Sequence, residues 1–460
     1  MSTASVDWLE DAFFEAPERG SIDGGTTTAG DLWHVANPRW GHSMHTMCSY
    51  HGMFPAKLAH YFIQRYSRPG DAVLDPFGGR GTVPLQARVE GRRTLGNDLS
   101  PLGYVLSRAK ANPPSWAAVN EFLDNLEKRY KRATQGEPDV SPDIRMLYHP
   151  NTLRQICYLR GVLLKQDLTQ WTSEAAMLAG SLAGIMHGSF RRDGTSQYLS
   201  ISMPNTFSMS PTYVEKFIRE KGLVAPDQDV FERLRDKLAR LYLDSIDGPD
   251  GTVFFSDAPD LMLSNSVQPG SVDLIVTSPP YLQVVNYGTA NWIRLWLLGI
   301  DDVGRERGRG RKKLDADLDH RHNYDSYRNF LLRTLLGIQR VLKRDGVAAV
   351  VIGDVADPGK EALPLAKKIW DDVGVKTELR LVELIGDRLP VESKVSRIWG
   401  DTKGQATERD CILVLTQQDG EPWDGPGVID WDEPYKDAGP DAAHVRLKSR
   451  FGTSEDPTAV

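Results

Sequence analysis

The sequence predicts an α/β protein built on one doubly wound mixed sheet, with a mainly helical insertion between the two halves of the sheet. Three observations predict this class. Short apolar runs typical of buried strands alternate with helical patterns at 54–111 and again at 250–417. Two of these runs end in glycine-rich or proline-rich turns, which is where open α/β sheets bind ligands. The segment between them, 112–249, is mostly helical in pattern.

In the first half, helices and strands are expected to alternate. An amphipathic pattern predicts a helix at 54–66, and apolar runs predict buried strands at 72–75 and 93–98. A helical pattern follows each strand, at 83–90 and from Pro101 onward. Each strand therefore leads into a helix, as strands of a parallel sheet do.

The second half supplies the remaining strands. Apolar runs predict strands at 253–257 and 272–277, and a helix at 325–344 leads to a very apolar strand at 347–352. Two more strands are expected at 379–385 and 411–416. The predicted plan has five parts: an N-terminal arm (1–41), a first sheet half (42–111), the insertion (112–249), a second sheet half with a basic loop at 304–323 (250–417), and a polar, loosely ordered tail (418–460).

Composition and charge narrow the range of possible functions but do not identify one. The chain has 460 residues, 40% hydrophobic and 25% charged, with a formal net charge of −7. Its three cysteines are widely spaced, which argues against a disulfide framework and for a reducing, cytoplasmic environment. We expect no signal peptide and no membrane-spanning segment. Because the protein is acidic overall, contact with nucleic acid would have to come from local basic patches.

The first diagnostic turn is Asp75-Pro76-Phe77-Gly78-Gly79-Arg80-Gly81-Thr82, between a strand and a helix. Its glycines allow a ligand to approach the backbone, and the helix that follows offers free N–H groups. The dinucleotide-binding pattern fails because Pro84 stands at its third glycine, and the lysine of a phosphate-binding loop is absent. The loop therefore suits a ligand that has a carboxylate and no pyrophosphate.

The second diagnostic turn is Ser278-Pro279-Pro280-Tyr281, directly after the strand at 272–277. Proline cannot donate to a sheet ladder, so the backbone must leave the sheet here and expose its carbonyls at the strand end. A carbonyl beside a hydroxyl and a flat ring suits a planar base that carries an exocyclic amine. Taken alone, such a turn is more often only a turn.

Together, the two turns resemble the motifs of the amino-group DNA methyltransferases that use S-adenosylmethionine. The resemblance covers roughly 42–110 and 250–417, and implies the Rossmann-like sheet of class I methyltransferases. It also implies a cofactor site formed by Asp75, Pro76, Phe77, Gly79, Gly81, Thr82, Asp98 and Asp257. In this interpretation Asp75 lies near the methionine end of the cofactor, Asp98 binds the ribose hydroxyls, and Asp257 accepts from the adenine amine. As an alternative, each aspartate is a helix N-cap.

The catalytic residues implied by the resemblance are Ser278, Pro279, Pro280 and Tyr281. The Ser278 hydroxyl and the Pro279 carbonyl would accept the two amine hydrogens, Tyr281 would stack on the base, and the base would be flipped out of the duplex. Methylation at carbon 5 of cytosine would need a cysteine nucleophile, and no cysteine lies in a Pro-Cys turn.

Several questions of substrate and activity stay open at this point. Serine at the first motif position favours cytosine N4 over adenine N6 as the target. An RNA base amine is a further alternative, as is an inactive DNA-binding component of a defence assembly. The expected partners are double-stranded DNA and restriction or defence proteins. The insertion is a candidate target-recognition region, or else a structural lid or a surface for partner subunits. Its loop at 204–211 either enters a groove or only connects helices.

One local basic patch is expected to contact DNA. Segment 305–313 interleaves glycine with six basic residues, Arg305, Arg307, Arg309, Arg311, Lys312 and Lys313. The alternative is a solvated charge run. No metal site is expected: His42, His45, Cys48 and His51 recur every third residue, but on a helix such steps drift by about 60° each, so all four cannot face one ion.

Overall fold

The computed structural model describes most of the two predicted sheet halves and all but four residues of the insertion. The described residues are 27–28, 32–34, 40–50, 52, 55–132, 136–205, 207–282, 287–300, 323–353, 365–388, 409–423, 425, 428–433 and 435–436. Within this part of the chain, no helix is both long and apolar enough to cross a membrane.

Eight strands form one mixed sheet in the order β1-β7-β8-β6-β5-β2-β3-β4. The strands are β1 (Thr27–Thr28), β2 (Ala72–Asp75), β3 (Arg93–Asn97), β4 (Thr252–Phe254), β5 (Val272–Thr277), β6 (Leu342–Gly353), β7 (Leu379–Arg388) and β8 (Arg409–Gln417). All neighbours pair in parallel except β8, which is antiparallel to both β6 and β7. This order confirms the predicted doubly wound mixed sheet, and it is the order of the class I methyltransferase fold.

Among the described residues, fourteen α-helices accompany the sheet. They are α1 (Ala56–Tyr66), α2 (Thr82–Val89), α3 (Pro101–Ala111), α4 (Trp116–Arg132), α5 (Pro142–Arg145), α6 (Pro150–Leu163), α7 (Ser173–Ile185), α8 (Pro211–Lys221), α9 (Val230–Leu241), α10 (Ala258–Leu263), α11 (Tyr287–Ala290), α12 (Trp292–Leu297), α13 (Tyr324–Val341) and α14 (Leu365–Val373). The chain order reverses between β2 and β5, so their carboxyl ends flank the topological switch point where such sheets bind ligands.

The insertion contains α4 to α9. The β-structure among its described residues consists of isolated bridges and includes no strand. It does not have a core of its own. Helix α7 is buried along its whole length, and a Cβ on its Gly184 would stand 1.9 Å from the carbonyl oxygen of Met47. Only glycine permits this approach, and it joins α7 to the segment before α1. One hydrophobic cluster accordingly runs from this segment through α3 into the insertion.

Both chain ends pack more than the sequence predicted. Within the predicted arm, β1 extends the sheet, and Trp33 is fully buried with its Nε1 donating to Asp387 at 3.1 Å. The prediction of a loosely ordered tail is wrong for 428–433 and 435–436. Tyr435 is 2% exposed there, and His60 Nε2 lies 2.6 Å from the Asp430 carbonyl. Apolar aromatic residues inside these polar segments explain the difference, because their burial stabilises the docked chain.

The boundary between α13 and β6 is also corrected. The pattern predicts a helix to 344, but the helix ends at Val341 and the strand begins at Leu342. Leu342 pairs with Val272 across an irregular ladder, and Lys343 Nζ contacts Asp273 at 2.6 Å. Basic residues are typical of a helix end, so the local pattern favoured helix. Pairing with β5 makes Leu342 and Lys343 part of the strand.

Candidate active site

The two motif turns meet at the carboxyl edge of the sheet. Thr277 ends β5, and its hydroxyl donates to Asp75 Oδ1 at the end of β2 over 2.7 Å. The N–H of Phe77 donates to the same oxygen at 3.1 Å. Asp75 is 1% exposed, and this burial raises the pKa of its carboxyl to about 7, against the opposing effect of these two bonds. Asp75 therefore joins the two turns.

A cleft of roughly 780 Å³, including its open mouth, lies where the turns meet. Eight residues singled out from the sequence line it: Pro76, Phe77, Gly79, Thr82, Asp98, Asp257, Ser278 and Pro280. The other four, Asp75, Gly81, Pro279 and Tyr281, adjoin these in the chain but are not part of the lining. The structure thus brings both motifs to one cleft and places Asp75 behind its wall.

Close packing explains the glycines of the first turn. Gly81 has φ +74°, and a Cβ there would lie 2.8 Å from the Cα of Ser107 on α3. A Cβ on Gly78 would lie 2.6 Å from the Ser107 hydroxyl. Gly79, with φ +52°, faces the cleft, where a Cβ would lie at ordinary contact distance from the Tyr50 ring, 3.7 Å, and from the Phe77 carbonyl oxygen, 3.9 Å. Two glycines thus seat the turn on α3, and the third leaves space for a ligand.

Asp98 follows β3 and is held by backbone N–H groups. Its Oδ2 accepts from Gly79 N at 2.6 Å and its Oδ1 from Ser100 N at 2.7 Å. Burial raises the pKa of Asp98 to about 6, while the two N–H bonds lower it. The carboxylate is therefore mainly ionised at neutral pH and retains lone pairs for a ligand.

Asn97 and Asp257 shape the neighbouring wall. Asn97 is fully buried, and its side-chain amide donates to the carbonyls of Pro76 and Ser256 at 3.0 and 2.9 Å. It thereby ties together the ends of β2, β3 and β4. Asp257 caps α10, accepting from Asp260 N at 3.1 Å, and also lines the cleft. Asp257 is thus a helix N-cap, as the alternative interpretation predicted, and it is also part of the cleft wall.

Positive charge is concentrated beside the glycine turn. Arg80 lines the cleft, and its Nε donates to the Thr82 hydroxyl at 3.1 Å. Lys110 is fully buried with its ammonium on the Arg80 carbonyl, and Lys237 donates to the Thr46 carbonyl at 2.6 Å. Burial lowers the pKa of Arg80 to about 10 and that of Lys237 to about 8, and it holds the pKa of Lys110 well below its ordinary value. Of these three side chains, Arg80 is the one that lines the cleft, where its positive charge favours an anionic ligand group.

On the opposite side, Ser278 acts as a hydrogen-bond partner of the Tyr281 phenol. Burial is the main cause that holds the pKa of the Tyr281 phenol well above its ordinary value, and the nearby charge of Asp410 acts in the same direction, whereas the bond with Ser278 lowers this pKa. The phenol is therefore neutral. Tyr281 in this state occupies the hydroxyl that the sequence analysis assigned to a base amine.

Sequence reasoning missed four aromatic or amide residues of the cleft: Tyr50, Asn97, Tyr287 and Phe330. Asn97 had a signal, because it directly precedes Asp98 at a strand end. Tyr287 and Phe330 had none, since they lie on α11 and α13 and reach the cleft only through tertiary packing. The ring of Phe330 packs edge-on against Phe77 at 5.7 Å between centroids.

The other predicted contacts lie elsewhere or outside the described residues. The basic residues at 305–313 and His51 fall outside the described ranges. The loop at 204–211 connects helices: Phe207 and Met209 are buried, and Ser208 N donates to the Ala290 carbonyl at 2.5 Å. His42 Nε2 lies 2.7 Å from the Ser245 carbonyl and His45 Nε2 3.0 Å from Gln86 Oε1. Among the described residues, no cluster of metal-ligating side chains occurs.

Comparison with known proteins agrees with the class that the sheet and cleft define, a class I methyltransferase. A family model described as DNA methylase matches residues 15–106. The type II methyltransferase M.MjaII of Methanocaldococcus jannaschii is 34% identical over 96 residues, which is 21% of this chain and 18% of that protein. M.BsoBI of Geobacillus stearothermophilus is 20% identical over 285 residues, 56% of this chain and 53% of that protein.

Among solved structures, the rRNA methyltransferase aviRa of Streptomyces viridochromogenes aligns with 81% of this chain and 90% of its own, at 14% identity and a TM-score of 0.28. The chain spans from about a fifth to about half of the length of the two curated relatives. Over these matched parts, the chain is similar to a DNA methylase family model and to type II methyltransferases.

Proposed function

We propose that this protein transfers a methyl group from S-adenosylmethionine to an exocyclic amine of a base in duplex DNA, with cytosine N4 as the favoured target. One observation carries the proposal: the Thr277–Asp75 hydrogen bond of 2.7 Å holds the cofactor-type glycine turn and the Ser278 turn on one cleft. A donor and an acceptor of the methyl group can then lie in contact, which direct transfer requires.

The residues of the first turn fit the cofactor. Gly79 leaves room for close approach, Asp98 offers an ionised carboxylate for the ribose hydroxyls, and Asp257 stands at the adenine end. We assign Arg80 to the cofactor carboxylate, because the positive wall would compensate that charge. Asp75 is then a positioning residue, since it touches both turns from behind the lining.

The second turn fits a base amine. The bound cofactor supplies a methyl group already activated on a sulfonium. Ser278 and the Pro279 carbonyl would accept the two amine hydrogens, which frees the nitrogen lone pair, and Tyr281 would stack on the ring. Because the Tyr281 hydroxyl is bonded to Ser278 in the free protein, a base that enters the cleft must replace this bond. The base would reach the cleft by flipping out of the duplex, at a cost of a few kcal/mol.

A cysteine-dependent route to carbon 5 is disfavoured. Cys48, Cys157 and Cys411 are free thiols, and none of them lines the cleft. Burial also raises the pKa of Cys157 to about 11, which opposes thiolate formation. The free thiols support a reducing compartment, which we propose is the cytoplasm.

Methyl transfer from labelled cofactor to unmethylated duplex DNA and to RNA, followed by analysis of the modified nucleoside, tests this proposal. N4-methylcytosine in DNA is the expected product. N6-methyladenine would keep the mechanism and change the base, and a product only in RNA would change the substrate class. Labelled 5-methylcytosine as the only product would refute the mechanism. Failure of calorimetry to detect cofactor binding would favour an inactive DNA-binding component.

We further propose that the basic segment 305–313 contacts DNA phosphates and that the insertion helps to recognise the target. The insertion packs against the helices that follow the catalytic turn, through the Ser208–Ala290 bond and the Trp292 Nε1–Met209 carbonyl bond of 2.7 Å. Replacing the six basic residues with serine should weaken DNA binding and flatten its dependence on salt. An unchanged salt slope would remove this segment from the interface. Any restriction or defence partner protein would have to be found by purification of the native complex.

A further inference from the structure

A second phenol beside the Ser278 turn has no hydrogen-bond partner among the residues that the structure describes. This is Tyr327 on α13, which is fully buried and whose hydroxyl makes no hydrogen bond within this part of the chain. Buried hydroxyls are nearly always hydrogen-bonded, because an unsatisfied one loses its contact with water without compensation. Phenylalanine would fill the same space without this cost. The hydroxyl is therefore suited to a hydrogen-bond partner that belongs to a bound molecule and not to the chain itself.

The position of Tyr327 indicates where this partner would come from. One turn further along α13, Phe330 lies 6.3 Å from the Tyr327 ring and lines the cleft. The Tyr327 hydroxyl is also near two phenols of the base side, because its ionisation interacts with those of Tyr281 and Tyr287. Tyr327 thus lies beside a residue of the cleft wall and near the phenols of Tyr281 and Tyr287.

The neighbouring residue Tyr324 provides a contrast on the same helix. Its hydroxyl donates to Asp372 Oδ2 at 2.5 Å, on a contact between α13 and α14. Two tyrosines three residues apart therefore differ in one respect that matters here. One hydroxyl is satisfied within the fold, and the other is buried at the edge of the proposed base site.

We propose that the Tyr327 hydroxyl donates a hydrogen bond to the ring acceptor next to the target amine of the flipped base, and so helps to fix that base for methylation. This inference rests on the proposed function. A neutral phenol is a donor, and both candidate bases place an acceptor beside the amine, N3 in cytosine and N1 in adenine. A base that replaces the Tyr281–Ser278 contact would come next to Tyr327 and supply its missing partner.

The test compares Tyr327→Phe with wild type and with the control Tyr324→Phe. Thermal unfolding, cofactor affinity by calorimetry, and kcat/KM for labelled methyl transfer to unmethylated DNA are measured for all three proteins. For Tyr327→Phe we expect an unchanged or higher Tm, unchanged cofactor affinity, and about tenfold lower kcat/KM for DNA. For Tyr324→Phe we expect the opposite: a lower Tm and unchanged transfer.

Each outcome separates the inference from the proposed function on which it rests. If wild type methylates DNA and Tyr327→Phe does so equally well, the inference is overturned and an internal water is the partner of the hydroxyl. If Tyr327→Phe lowers Tm and transfer together, the role is structural and the inference is again overturned. If wild type binds cofactor but methylates no DNA, the proposed function itself fails, and this inference with it.

Discussion

The two sides of the cleft differ in how their polar groups are satisfied. On the glycine-turn side, the protein pairs the backbone N–H groups itself: Gly78 N donates to the Asn97 carbonyl at 2.8 Å, Gly81 N to the Gly78 carbonyl at 2.7 Å, and Gly79 N to Asp98 at 2.6 Å. On the other side, Ser278 is a hydrogen-bond partner of Tyr281, and the Tyr327 hydroxyl has no partner among the described residues.

This difference shows which side is preformed. The glycine turn keeps its shape without a ligand, so binding the cofactor costs little ordering there. On the Ser278 side, the proposed function requires an entering base to replace the contact between Ser278 and Tyr281. A site that binds the same cofactor in every cycle gains from rigidity, whereas a site that admits and releases a base embedded in DNA gains from exchangeable contacts. Four substitutions probe this contrast.

The largest effect is expected from Gly81→Ala. Alanine at φ +74° is strained, and its Cβ would lie 2.8 Å from the backbone of Ser107. We expect a loss of about 3 kcal/mol in the free energy of unfolding, with loss of cofactor binding. Gly91→Ala is the control, because φ is +77° there and the nearest atom is 3.7 Å away. It should cost about 1 kcal/mol and keep cofactor binding. Equal losses for both variants would contradict a preformed, closely packed turn.

A large effect confined to turnover is expected from Tyr281→Ala. Loss of stacking on the base should lower kcat for DNA roughly 10- to 100-fold while leaving cofactor affinity nearly intact. Tyr281→Phe retains the ring and releases the Ser278 hydroxyl, so its kcat should remain close to that of wild type. Stopped-time methylation assays and calorimetry measure both quantities. A parallel loss of turnover and cofactor affinity in Tyr281→Ala would argue against the division between the two sides.

A moderate effect on the cofactor alone is expected from Asp98→Asn. The amide can still accept one backbone N–H bond, but it loses the charge that we assign to the ribose hydroxyls. The Kd for the cofactor should rise about tenfold. The matched variant Asp75→Asn should bind the cofactor as wild type does, because Asp75 lies behind the lining and asparagine Oδ1 can accept from both Thr277 and Phe77. If Asp75→Asn raised the Kd for the cofactor more than Asp98→Asn did, Asp75 would belong to the cofactor site.

Of the four substitutions, Asp75→Asn is expected to change methyl transfer least. It should, however, change how the free energy of unfolding depends on pH. Burial raises the pKa of Asp75 from 3.8 to about 7, so the folded protein holds this proton after the unfolded chain has released it. The stability that Asp75 contributes is thus full below about pH 4 and is lost as pH rises to about 7, by roughly 1.4 kcal/mol per pH unit. Urea unfolding from pH 4 to 8 should show wild type losing stability relative to Asp75→Asn. A constant difference across this range would mean that Asp75 is ionised in the fold throughout.

Much of the fold was predictable because its signals are local. Four-residue and six-residue apolar runs, each ended by glycine or proline, mark β2 and β5 correctly to the residue. The motif residues of the two turns were predictable for the same reason. Each turn is marked by glycine or proline residues and by polar side chains that stand next to one another in the sequence. The limits of α13 and β6 were not, because Leu342 becomes a strand residue only by pairing with Val272, seventy positions away in the chain.

The sequence by itself determined the sheet, the two turns and the type of ligand that each turn suits, since short-range patterns and turn chemistry dictate these features. Only the tertiary structure decided that Asp75 connects the turns and does not line the cleft, and that Tyr287 and Phe330 line it with Tyr327 packed beside Phe330. The physical reason is that a side chain's hydrogen-bond partner is set by which elements pack together. Hydrophobic periodicity places a residue on a face, and packing alone determines what that face meets.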